Sequence, residues 1–104
     1  MAADFLRHNG FRVLEAENGA AAARLIESGV AIDVLVTDQS MPGGMTGLQL
    51  VQLCRQRRPT LPSLLTSGFV DLPAEPDVRV LRKPYKLSRL LEMIREHLPP
   101  DEPT

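Results

Sequence analysis

A chain of 104 residues has room for one compact domain and excludes a second folded one. With 43% hydrophobic and 24% charged residues it lies outside the range of disordered chains, and a formal net charge of -1 leaves no basic field to attract nucleic acid or an anionic membrane. A single cysteine excludes an internal disulfide, and no apolar run reaches the length of a membrane span or a signal peptide, which together predict a cytoplasmic protein.

In chain order, residues 2–9 form the last part of a helix carrying Phe5 and Leu6, ended by a left-handed cap at Gly10. FRVLEA (11–16) is β-prone and closes on the turn-forming pair Asn18-Gly19, so a short strand is expected there. Asn18 can cap the next helix, built from Ala20 to Ala23, Leu25 and Ile26 and ended by Gly29. IDVLVTD (32–38) is a nearly continuous apolar run, the mark of a strand buried on both faces. A loop with Pro42, Gly43, Gly44 and Gly47 leads to a third helix with Leu48, Val51, Leu53 and Cys54 at helical spacing, Thr46 as its N-cap and Pro59 beyond it. Cys54 reads as a buried structural thiol, and the group Arg55, Arg57 and Arg58 as a solvated helix end.

PSLLTS (62–67) and VRVL (78–81) are two more strands. Between Ser67 and Lys83, Pro73 and Pro76 oppose a regular helix and reduce it to a turn. The last helix carries Leu87, Leu90, Leu91, Ile94 and Leu98 on one side and is capped by Ser88 or its neighbours. The domain spans 1–98, and residues 99–104 form a disordered tail.

Strands alternating with helices imply parallel βαβ units with helices on both faces of the sheet. In such sheets functional side chains collect at the carboxyl ends of the strands, here Asp38, Thr66-Ser67 and Lys83. Singly, each has a structural explanation as turn former, backbone-satisfying hydroxyl or solvated lysine. Together they place a carboxylate that can attack phosphorus beside an ammonium and a hydroxyl that can stabilise phosphoryl oxygens, with exposed N–H groups in the glycine-rich loop.

VLVTDQSMPGGMTGLQL, LPSLLTSG and LRKPY, in this order, resemble the three motifs of response-regulator receiver domains, and the LLTSG form resembles the receivers of hybrid histidine kinases. The resemblance covers Asp4 to Leu98. It implies a CheY-like, flavodoxin-like doubly wound parallel sheet in a non-enzymatic signalling module of two-component phosphorelays. By the same resemblance Asp38 accepts the phosphoryl group from a histidine kinase or a phosphotransfer protein, and Ser67 and Lys83 bind phosphoryl oxygens. Thr66 falls one step early and is expected to point into the sheet, and the Lys83-Pro84 bond is expected to be cis. Mg²⁺ would be bound by Asp38, by the backbone carbonyl of Ser40 and by an acidic pair after the first strand.

That acidic pair and the first strand are not in this sequence, which departs from the family pattern by roughly fifteen residues if a strand of about five is allowed for. The family's sheet order, 2-1-3-4-5, would then lack its central member between FRVLEA and IDVLVTD, leaving edges open to self-association. Mg²⁺ binding is expected to be weak. The family's switch aromatic is Val80 here, and Tyr85 is expected to pack. Two other readings compete: a pseudo-receiver that binds proteins without taking phosphate, and an Asp-nucleophile phosphohydrolase. The second would require an acid two residues after Asp38, where Ser40 stands.

Overall fold

The computed structural model describes residues 2–40, 43–68 and 79–98. Four helices and three strands follow one another among the described residues: α1 (Ala2–His8), α2 (Gly19–Glu27), β1 (Leu35–Asp38), α3 (Gly47–Arg57), β2 (Ser63–Ser67), β3 (Arg79–Arg82) and α4 (Leu87–His97). The strands form one parallel sheet in the order β1-β2-β3.

The sheet divides two apolar clusters. On one face Leu6 of α1 meets Leu64, Leu81 and the α4 residues Leu90, Met93 and Ile94. On the other, Ile26 of α2 meets Leu50 and Cys54 of α3. Helices therefore cover both faces, as a parallel sheet requires. Tyr85 packs against the first cluster, whereas Val80 is partly exposed. No described helix is long and apolar enough to cross a membrane.

Local chemistry sets the helix ends. Asn18 accepts a hydrogen bond from the Ala21 N–H at the start of α2, and Gly10 and Gly29 take positive φ beyond the ends of α1 and α2. Thr46 and Gln49 form a reciprocal capping box on α3. At α4 the expectation of a Ser88 cap fails. The N-cap is Lys86, with no side-chain hydrogen bond, and Ser88 already lies inside the first turn.

Three other expectations are corrected. FRVLEA forms no ladder with any described strand: Phe11 and Val13 pack on the α1-α4 cluster, and Arg7 donates to the Val13 carbonyl. A strand needs a neighbour to share peptide hydrogen bonds, and no described strand pairs with this segment, whose Phe11 N–H goes instead to the Leu6 carbonyl. IDVLVTD yields a strand over its last four residues that is not buried on both faces, with Val36 37% exposed. It is an outer strand of the described sheet, so part of its apolar surface remains open. Arg58 is not merely solvated: its guanidinium donates to the carbonyls of Ile26 at 2.9 Å and Val30 at 2.6 Å, tying the end of α3 to the end of α2. The turn expected across Pro73 and Pro76 and the tail at 99–104 lie outside the described residues.

Candidate functional site

Parallel register brings the three strand ends level. Asp38 pairs with Thr66 and Ser67 with Arg82, and the ladder continues one residue further through Gln39 N–H to Thr66 O (2.8 Å) and Lys83 N–H to Ser67 O (2.9 Å). Lys83 thus leaves β3 beside β2, and its side chain reaches across to β1. Its Nζ lies 2.8 Å from Asp38 Oδ1, and the Lys83-Pro84 peptide bond is cis.

Both partners of this ion pair are 44% exposed, so the pair adds at most about 1 kcal/mol to stability. Its importance is chemical. The carboxylate is held at the edge of the sheet with a cation on one oxygen, where it stays accessible to a second molecule.

The Thr66 hydroxyl donates to the same oxygen, Asp38 Oδ1. Thr66, expected to point into the sheet, is buried there and turns its hydroxyl to the acceptor carboxylate. Side chains at paired positions of neighbouring strands share a face, and Thr66 is the partner of Asp38. Ser67, the hydroxyl expected here, is buried in the next position of β2. The missed signal lay in the strand period of two combined with the pairing of the two polar strand ends.

Gln39 was also not singled out from sequence. Its carbonyl accepts from Gly47 N–H at 3.0 Å and its side-chain oxygen from Leu48 N–H at 2.9 Å, which docks the start of α3 onto the end of β1. That approach needs glycine at position 47, because a Cβ there would lie 2.1 Å from the Asp38 carbonyl oxygen and 2.6 Å from a Leu65 methyl. Gly43 and Gly44 both take positive φ in the loop between. The loop closes on α2, where Met45 packs so tightly against Gly19 that a Cβ would come within 2.6 Å of it.

Metal-binding capacity is limited. Among the described residues no three His, Cys, Asp or Glu side chains gather as a metal site. Asp38 supplies a single carboxylate, and although Mg²⁺ keeps several of its waters, a hard cation held by so little protein charge binds weakly. These residues do not fit Mg²⁺ by themselves.

Away from the site, Cys54 is buried, and desolvation pushes its thiol above the usual range, an effect only partly offset by the Ser63 hydroxyl and the Arg58 guanidinium.

The family described as the response regulator receiver domain matches residues 1–95. The sensor kinase CckA of Brucella abortus is 31% identical over 89% of the chain, which spans about a tenth of that kinase's length. The solved receiver domain of the hybrid histidine kinase CckA is similar at 34% identity and a TM-score of 0.79, covering 94% of this chain and 86% of that one. A response regulator receiver protein from Sinorhizobium medicae is similar at 29% identity and a TM-score of 0.83, covering 91% and 80%.

Proposed function

Because the chain belongs to the response regulator receiver family, we propose that it acts in a two-component phosphorelay by accepting a phosphoryl group on Asp38 from a histidine kinase or a phosphotransfer protein. The convergence of Lys83 Nζ on the exposed Asp38 carboxylate at the carboxyl end of the sheet carries this reading. The likeness to the CckA receiver points to the same kind of partner.

In the proposed reaction a carboxylate oxygen of Asp38 attacks phosphorus, and the phosphorus–nitrogen bond of a phosphohistidine breaks. The imidazole leaves with the bonding pair and takes up a proton. The product is an acyl phosphate on Asp38. Charge spread over the transferring oxygens is met by Lys83, with the Ser67 hydroxyl proposed as a further donor to them. Ser40 brings no titratable group to the position where an Asp-nucleophile hydrolase needs its acid.

Phosphoramidate, a small donor that bypasses the kinase, tests the reading. Wild-type protein is expected to gain one phosphoryl increment by intact mass, and Asp38→Asn none. Equal labelling of the two would overturn it.

A second reading, a receiver that binds partners without taking phosphate, is favoured by one observation: the described residues do not assemble a Mg²⁺ site. An unlabelled wild type that still binds a phosphotransfer protein would select it. The outward edge of β1 is a proposed route to self-association in either case, read by molecular size in solution.

A further inference from the structure

Asp38 has two carboxylate oxygens, and both donors sit on one of them. Lys83 Nζ and the Thr66 hydroxyl meet Oδ1, and among the described residues no donor reaches Oδ2. Thr66 is 2% exposed, and a β-branched side chain has few rotamers open to it at a crowded strand end. Its hydroxyl donates to Oδ1 from this buried position.

We infer that Thr66 is a positioning residue for the acceptor: it fixes Oδ1 as the oxygen that does not react, presents Oδ2 to the phosphoryl donor, and hastens loss of the phosphoryl group. This rests on the proposed acceptor role of Asp38. Once Oδ2 carries phosphorus, Oδ1 is a neutral acyl carbonyl oxygen, whereas before transfer it is part of a charged carboxylate. A hydrogen bond to a charged acceptor is roughly twice as strong as one to a neutral acceptor. The Thr66 bond thus weakens when the acyl phosphate forms and strengthens when it breaks.

In hydrolysis a water oxygen attacks phosphorus and the Oδ2–P bond breaks. The electron pair returns to the carboxylate, and both water protons leave on dihydrogen phosphate. Negative charge grows on the departing carboxylate in the transition state, so a donor on Oδ1 lowers that barrier.

Thr66→Val removes the hydroxyl and keeps the shape, and Thr66→Ser keeps the hydroxyl. Wild type and both variants are labelled with phosphoramidate, the donor is removed, and loss of the phosphoryl increment is followed by intact mass. Thr66→Val is expected to lose its label about tenfold more slowly, equivalent to roughly 1.4 kcal/mol of barrier. Thr66→Ser is expected to lose it at nearly the wild-type rate. A purely structural role would move the unfolding midpoint and leave the lifetimes alike, and alike lifetimes overturn the inference. Should Thr66→Val fail to fold, Thr66→Ala against Thr66→Ser makes the same comparison. Failure of wild type to label, or labelling of Asp38→Asn to the same extent, overturns the acceptor reading and Thr66's role with it. Label with unchanged lifetime overturns Thr66's role alone.

Discussion

Replacing Gly47 with alanine sets two effects of opposite sign against each other. Position 47 is the first residue of α3, where alanine is the better helix former by about 1 kcal/mol. Against this, the added Cβ would stand 2.1 Å from the Asp38 carbonyl oxygen and 2.6 Å from Leu65 Cδ1. The backbone contact cannot be relieved by turning a side chain, so α3 must lift off β1. Overpacking of that kind destabilises by about 1–3 kcal/mol. Lifting the helix also stretches Gly47 N–H to Gln39 O and Leu48 N–H to Gln39 Oε1, each contributing about 1 kcal/mol. Sterics win, by roughly 2–4 kcal/mol. Since about 1 kcal/mol shifts the melting temperature of a domain this size by roughly 4–8 °C, the variant should melt on the order of 10 °C or more lower. Thermal and urea unfolding measure it. A Gly47→Ala protein as stable as wild type, or more stable, would refute the close-approach argument and show that propensity governs the position.

Arg58→Ala is expected to destabilise by about 2 kcal/mol by freeing the Ile26 and Val30 carbonyls, and Arg58→Lys should not restore it, because one ammonium cannot reproduce the planar fork; urea midpoints decide this. Thr46→Ala should remove about 1 kcal/mol with the capping box, and Gln49→Ala about half of that, since the Thr46 bond to the α3 backbone survives in it. Cys54 should react with a thiol reagent only on unfolding. Its thiol is raised in the fold, so the stability tied to its protonated form is complete below the ordinary thiol range. It should be lost as pH rises through that range, when the unfolded chain ionises first, and unfolding free energy measured against pH checks the slope.

The parts legible in the sequence were those carried by local signals. Asn18, Thr46, Gly10 and Gly29 mark helix ends through their own side chain or backbone, and their placement follows from sequence alone. The alternation of apolar strands with amphipathic helices gave the layering in the same way. What escaped depended on partners far along the chain. FRVLEA has the composition of a strand, but a ladder requires a neighbour, and composition carries no information about one. Arg58 looked like one of three solvated arginines until the ends of α2 and α3 came together, 28 and 32 residues apart in sequence. At the site, Asp38 and Lys83 were legible because strand ends converge in any such sheet. The contact of Thr66 with the Asp38 carboxylate was not, because it turns on a one-residue register between β1 and β2.

The one-sidedness of β1 has a last consequence at the level of single peptide groups. Leu35 and Gln39 give their N–H groups to the Pro62 and Thr66 carbonyls of the β2 side. Alternation along a strand turns the N–H groups of Val36 and Asp38 the other way, toward the side where no described residue pairs with the strand. Among the described residues the ladder therefore holds the amide protons of Leu35 and Gln39 and leaves those of Val36 and Asp38 outside it. The main-chain amide of Asp38 becomes a local reporter of whether anything has come to lie along that edge.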